Sequence, residues 1–382
     1  MHRFTKTTHL LCAALLALAA TPAFADDAPK GFLENIHKHI TLASTAIANG
    51  DLNPYALVVA PVSSGTIHKG DILISNFNDV SNLQGTGTTI VDYNPETKQT
   101  TLFAKLPKQV AQCPGGIGLT TAMTMLQSGW VIVGSTPSTD GTTKTKGPGC
   151  LLVLDSSGKV ASTISGPTIN DPWGNMAVID NGATATLFVS NAGFDIPGPE
   201  VIDPETNFFK IFNTATVLRL TLAIPAGKVP TVKDQTVIAS NLAARSDKDA
   251  FLVGPTGLTL APDGKTLYVS DGINNRIIAI DDAPARKDSA GTGREIVKAG
   301  LLKRPLAMTL TPEGHLLVVN ALNGQVVEID PIAGKELYAQ WIDNDQAQSP
   351  PGNGDLFGIA ITPDGKGFYY VEDDMNTLML AQ

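Results

Sequence analysis

One short unit recurs along this 382-residue chain, and a chain that repeats a unit too small to bury its own apolar face must stack the copies against one another. The clearest copy begins at Pro255-Thr256-Gly257-Leu258-Thr259-Leu260, turns at Pro262-Asp263-Gly264, and resumes at Leu267-Tyr268-Val269-Ser270-Asp271. Apolar residues alternate in each run, with a third run at Ile277 to Ile280, so the unit predicts a small antiparallel sheet with tight turns. Copies recur at Pro305-Leu306-Ala307-Met308 with the turn Pro312-Glu313-Gly314, and at Leu356-Phe357-Gly358-Ile359 with the turn Pro363-Asp364-Gly365. Weaker copies start at Pro54-Tyr55-Ala56-Leu57, near Pro114 to Leu119, and at Pro172-Trp173-Gly174-Asn175.

These six starts lie about 50 to 83 residues apart, the spacing of propeller blades with insertions. The expected fold is therefore all-β: a six-bladed β-propeller of four-stranded antiparallel blades. The sixth copy ends after three strands, so the segment Ile40 to Ile47 is expected to supply its fourth and close the ring, hiding open sheet edges. The alternative is seven blades, with the extra one between Gly193 and Leu220.

Residues 1–25 read as a secretory leader. Arg3 and Lys6 precede an apolar run from Leu10 to Ala20, and Ala23-Phe24-Ala25 forms a small-x-small cleavage site. Cleavage after Ala25 leaves a periplasmic or secreted single domain, 26–382. No later apolar run is long enough to span a bilayer as a helix, so no membrane insertion is expected. The leader carries two of the 27 basic residues and none of the 36 acidic ones, leaving 25 against 36 in the mature chain. A surface of that sign repels phosphate backbones, and nucleic acid is not an expected partner. The mature chain is expected to be a monomer. It keeps two cysteines, Cys113 and Cys150, which in an oxidising compartment are expected to pair with each other.

In a propeller, the loops entering inner strands and those leaving second strands meet around one mouth of the central channel. The blade starts place Tyr55, Trp173, Thr256 and Phe357 there, together with Leu306. The second-strand ends add Asn76, Asn191, Asp271, Asn320 and Asp373. Aromatic walls with a few polar groups suit a small-molecule pocket; the same residue types also plug channels and cap turns. Three long connections, Phe77 to Thr88, Ser135 to Gly149 and Ala192 to Thr216, form a wall on that face. On the pocket reading, replacing Trp173 and Phe357 together abolishes binding without unfolding the chain.

The stretch Leu267-Tyr268-Val269-Ser270-Asp271 with Asn274-Asn275-Arg276-Ile277 resembles the NHL repeat, and the chain is similar to the gluconolactonase and senescence-marker propellers. That resemblance implies a divalent metal at the channel mouth, held by Glu, Asn and Asp at blade-start positions. Here those positions carry Tyr55, Thr256 and Leu306, so the ligand set does not carry over, and no cofactor is expected. Asp271, Asn191 and Asp373 offer oxygen atoms for a calcium ion, without a defined spacing. His315 falls on the opposite face, which disfavours a histidine mechanism at the mouth. Gly264-Lys265-Thr266 lacks the first glycine of a phosphate loop, and Asp343-Asn344-Asp345 lacks the glycine of a calcium-binding loop. The leading reading is an exported propeller that binds a small molecule or a protein partner on its long-loop face without catalysis. The alternative is a metal-dependent gluconolactonase-like hydrolase or lyase with a rearranged site at the same mouth.

Overall fold

The computed structural model describes residues 1–2, 31–47, 50–193, 201–343, 345–354 and 356–382. The proposed leader and its cleavage site lie outside the described residues. Strand β1 (His39–Ser44) precedes six sheets. Blade 1 holds β2 (Leu52–Val59), β3 (Ile72–Asn78), β4 (Thr89–Asn94) and β5 (Gln99–Lys105). Blade 2 holds β6 (Leu119–Met125), β7 (Val131–Ser135), β8 (Cys150–Leu154) and β9 (Val160–Ile164). In blade 3, β10 (Ala177–Asp180) and β11 (Thr184–Asn191) precede a small hairpin of β12 (Ile202–Asp203) and β13 (Phe208–Phe209). The blade continues with the long β14 (Phe212–Ala223) and β15 (Thr231–Asp247), and then β16 (Phe251–Val253).

Blade 4 comprises β17 (Pro255–Leu260), β18 (Leu267–Asp271), β19 (Arg276–Ile280) and β20 (Arg294–Lys298). Blade 5 comprises β21 (Pro305–Leu310), β22 (Leu316–Asn320), β23 (Gln325–Asp330) and β24 (Lys335–Trp341). Blade 6 supplies β25 (Leu356–Ile361), β26 (Phe368–Glu372) and β27 (Thr377–Ala381), and β1 pairs antiparallel with β27 as its fourth strand. The blades number six. The segment that would have held a seventh instead forms the β12–β13 hairpin and part of β14.

Burial follows position in the blade. Strands β3 and β6 are buried throughout, whereas the outer β5 and β24 are largely open to solvent. Apolar clusters fill the seams between blades, such as Leu73, Met123 and Val133 between blades 1 and 2. Each fully buried Leu, Ile or Val contributes roughly 1.5–3 kcal/mol.

In blades 3, 4 and 6 the chain at the channel wall comes too close to the next blade for a side chain at one position, and glycine stands there: Gly174, Gly257 and Gly358. A Cβ on Gly174 would stand 1.5 Å from the Thr256 carbonyl oxygen, and one on Gly257 2.3 Å from that of Leu306. Buried serines then bridge neighbours: Ser190 Oγ accepts from Gly174 N and donates to Thr256 O, and Ser270 Oγ accepts from Gly257 N and donates to Leu306 O. Ser75 does the same between Ala56 N and Thr120 O. These bonds satisfy backbone groups that a strand at the channel wall leaves without a ladder partner.

Before β1, a strap of Phe32, Leu33 and Ile36 packs into the seam of blades 5 and 6. The buried Glu328 carboxylate anchors it, accepting from Phe32 N and Leu33 N at 2.9 Å each and from His315 Nδ1 at 2.7 Å.

Candidate functional site: the long-loop mouth

The long connections arise as expected, with residues 79–88 joining β3 to β4, 136–149 joining β7 to β8, and 192–211 joining β11 to β14. Residues 194–200 lie outside the described residues. Cys113 and Cys150 are bonded to each other with Cα atoms 5.2 Å apart, which fixes the base of the second loop.

A fourth piece has no counterpart in the repeat. Strand β15 runs on past blade 3, turns at Asp247 and returns as β16, delivering Phe251 to the mouth. Two of the long loops hold this hairpin down. Gln84 Nε2 donates to Asp249 O at 2.7 Å, and Thr143 Oγ1 pairs with Ser246 Oγ at 2.8 Å. The guanidinium of Arg245 lies 4.1 Å from the Phe208 ring centroid, which links the β12–β13 hairpin to the same cap.

Beneath the cap the predicted aromatics do come together, as a packed plug. Tyr55 stacks between Phe77 and Phe357, with centroids 4.5 and 3.9 Å away, and Trp173 meets Tyr55 and Phe77 edge-on. Phe251 completes the group against Phe77 and Trp173. Tyr55, Trp173, Phe251 and Phe357 are all at most 5% exposed. Asn175 bridges the inner strands of blades 4 and 5: its Nδ2 donates to Leu258 O at 2.7 Å and Met308 O at 3.4 Å, and its Oδ1 accepts from Leu258 N at 3.3 Å and Met308 N at 3.4 Å.

The predicted polar residues are spread around the ring rather than gathered into one pocket. Asn191 donates to Thr168 O and Thr216 Oγ1 and accepts from Asn170 N. Asn320 donates to Leu301 O and accepts from Lys303 N, while Asn76 donates to Thr45 O and Thr89 Oγ1. At all three positions the amide ties the second strand to the chain entering its blade. Asp271 accepts from Arg276 Nε at 2.8 Å and Asn274 Nδ2 at 2.9 Å, and Thr256 Oγ1 donates to Gly254 O.

Asp373 stands apart because its surroundings are acidic. It accepts from Asn53 Nδ2 at 3.2 Å, and burial together with Asp374 and Asp343 pushes its carboxyl up to about 8. Burial and Asp343 raise Glu372 to about 7. Burial, then Asp373 and Asp247, drives the Tyr55 hydroxyl well above its usual range. On the other side of the mouth Asp247 takes an ion pair from Arg304 at 3.1 Å, and the buried Lys146 pairs with the buried Asp171.

Among the described residues no group of three or more His, Cys, Asp or Glu side chains is placed to hold a metal ion. The divalent metal implied by the family resemblance does not fit this mouth. Aromatic and apolar side chains occupy the blade-start positions except at Thr256, whose hydroxyl donates to Gly254 O; Asp271 is bonded to Arg276, and Asn191 is bonded to the chain entering its blade.

The architecture is that of the gluconolactonase-like propellers, at the level of fold. Solved structures similar to this chain include a gluconolactonase from Xanthomonas campestris, 12% identical, with a TM-score of 0.52 over 90% of this chain and 88% of that one. A virginiamycin B lyase from Staphylococcus aureus is 13% identical, with a TM-score of 0.50 over 90% and 98% of the two chains. A luciferin-regenerating enzyme is 14% identical, with a TM-score of 0.53 over 90% and 95%. No protein-family model matches the sequence, and no curated protein matches it.

Sequence reasoning missed Phe251, Ser246 and Asn175. Phe251 and Ser246 lie in the long β15–β16 excursion, outside the repeat, where no alignment between blades exists to point at them. Asn175 stood inside the recognised third copy, but only the ring geometry reveals that its amide reaches two other blades.

Proposed function

We propose that this chain is an exported, periplasmic propeller that binds a partner protein on its long-loop face and catalyses no reaction there. The sealed mouth carries this reading: Phe251 closes the aromatic plug from above, and cross-bonds from two loops hold its hairpin in place. A small molecule would have to displace a packed core to enter the channel. The loops themselves offer contact area. Val80 and Leu83 on the first loop, and Val201, Ile202, Phe208 and Ile211 on the third, are exposed apolar side chains on one face. Apolar groups clustered beside polar ones are what a protein interface uses.

The gluconolactonase and lyase neighbours suggest hydrolase or lyase chemistry, but a metal-dependent form of it needs ligands that this mouth does not assemble. The deciding experiment compares the mature chain with a Phe208→Ser/Ile211→Ser variant, immobilised and exposed to periplasmic extract. The reading expects a protein retained in stoichiometric amount by the parent and lost by the variant. Equal retention by both would remove the third loop from the interface. Lactone hydrolysis that disappears on chelation would replace the binding reading with the enzymatic one.

A further inference from the structure

The opposite face of the ring carries a second feature, unrelated to the mouth. Turns from three adjacent blades line a cavity of about 480 Å3 that opens to solvent. Blade 1 contributes the loop after β2, blade 2 both of its turns, and blade 3 the turns after β10 and β14. Such turns ordinarily end in solvent. Here Gly65 and Gly129 let the blade 1 loop settle onto blade 2: a Cβ on Gly65 would meet Ser156 O at 2.2 Å, and one on Gly129 would meet Ser64 Oγ at the same distance.

The lining is chemically mixed in a specific way. Trp130 packs against the apolar seam of blades 2 and 3 yet keeps part of its surface in the cavity, next to Ile224 and Pro225. Its indole N–H bonds nothing among the described residues. The hydroxyls of Ser64, Ser128 and Ser156 are likewise without hydrogen-bond partners there. The Asp155 carboxylate, in the cavity lining, uses Oδ1 for Ser157 N, Ser157 Oγ and Lys159 N, at 2.8, 2.7 and 3.1 Å, while its Oδ2 accepts no hydrogen bond among the described residues. The bonds from Ser157 hold this carboxyl below its usual range, so it is an acceptor at neutral pH.

Each candidate ligand class meets a different part of this lining. An anion would face Asp155 with no lysine or arginine in the wall to offset it. A wholly apolar ligand would take the carboxylate and three hydroxyls out of water without replacing their bonds, which costs several kcal/mol. A pyranose ring has an apolar C–H face that lies flat on an indole and a rim of hydroxyls that both donate and accept. We infer that this cavity is a saccharide site: one sugar ring stacks on Trp130, with its hydroxyls bonded by Asp155 and the serines of the surrounding turns. A cavity of this size takes one or two rings. The site lies on the face away from the proposed partner surface and does not depend on it.

The test is saturation-transfer NMR on the mature chain with a panel of neutral sugars: glucose, galactose, N-acetylglucosamine, maltose and cellobiose. At least one is expected to bind saturably in the millimolar range or tighter, and Trp130→Ala is expected to weaken it at least about tenfold. Ala183→Phe, on an exposed turn of the rim, fills the cavity without touching the packed seam and is expected to have the same effect. It keeps the test open if Trp130→Ala fails to fold. Phe208→Ser on the other face should leave sugar binding unchanged. No saturable signal from any sugar in the panel would overturn the assignment, as would binding indifferent to Ala183→Phe. Preferential binding of tetramethylammonium, weakened by salt, would overturn it in favour of an organic cation held by the indole and Asp155.

Discussion

Tyr55 stacks on Phe357 with ring centroids 3.9 Å apart, and the two residues belong to the first and last blades of the ring. The contact that fills the mouth therefore also helps to close the circle, alongside the pairing of β1 with β27. Both rings are buried, so truncating Phe357 to Ala should cost about 3–5 kcal/mol in urea unfolding, through lost transfer energy and a cavity. A double-mutant cycle with Tyr55→Leu should recover a coupling of about 0.5–1.5 kcal/mol for the stack. The expectation that Trp173 and Phe357 are replaceable without loss of fold does not suit their burial. The doubly substituted chain should be less stable by more than either single variant, and a Trp173→Ala/Phe357→Ala protein that melts like the parent would show that the plug is dispensable.

The acidic side of the mouth sets a pH dependence. Asp373, raised to about 8, holds its proton in the folded chain long after the unfolded chain has released it, and Glu372, raised to about 7, does the same over a narrower span. A carboxyl shifted upward stabilises the fold fully below its unfolded value, near pH 4, and that contribution is lost as pH rises through the folded value. Stability should therefore decline between about pH 4 and pH 8 on account of these two groups. Asp373→Asn removes the titration while keeping an oxygen for Asn53. Its melting temperature should exceed the parent's at pH 8 by on the order of 2–5 °C and approach it near pH 4. A difference that is constant across this range would mean that Asp373 is ionised throughout.

The strap before β1 depends on one buried acid. Glu328 accepts two backbone N–H groups and His315, so Glu328→Ala leaves Phe32 N and Leu33 N without their acceptor. The expected loss is about 2–4 kcal/mol, with proteolysis beginning in residues 31–38 before the blades open. Glu328→Gln keeps one acceptor oxygen and should recover part of it. Cleavage that begins elsewhere in the Glu328→Ala variant would show that the strap is held by its apolar contacts alone.

Much of this architecture was readable in the sequence because the ring repeats its own constraints. Gly257 and Gly358 stand two residues into an inner strand, and Gly174 stands just before one, each where the next blade passes close. The pairs Ser75-Asn76, Ser190-Asn191 and Ser270-Asp271 each place a bridging hydroxyl beside a polar cap. Residues that hold blade to blade must recur with the blades, and so alignment of the copies finds them. The cap does not recur. The β15–β16 hairpin that brings Phe251 over the mouth, and the turns that wall in Trp130, occur once, and their partners lie in other blades at large sequence separation. Aromatic and amide residues at the rim could equally have lined a pocket or filled one. Only the packing distances separate the two.

The disulfide offers a last test of how the loop face is maintained. Cys113 lies in the connection into blade 2 and Cys150 opens β8, so the bond ties the end of the 136–149 loop to the entry of its own blade. Closing a loop across a separation of 37 residues is worth about 3–4 kcal/mol on the chain-entropy account. The loop has other anchors: the Thr143–Ser246 bond holds it to the cap, and the buried Lys146–Asp171 pair holds it to the connection entering blade 3. A Cys113→Ala/Cys150→Ala variant should therefore melt lower by several degrees while keeping the loop docked, because the unfolded chain gains more freedom than the folded one. Replacing Lys146 by Met in the same background removes a charge from a buried pair and leaves Asp171 alone in a site that already pushes its carboxyl up to about 6. That triple variant should expose residues 136–149 to protease at neutral pH, because Asp171 can ionise there only by leaving its buried site, and its release undocks the loop. If the double cysteine variant alone is already cut there, the disulfide rather than the ion pair holds the wall in place.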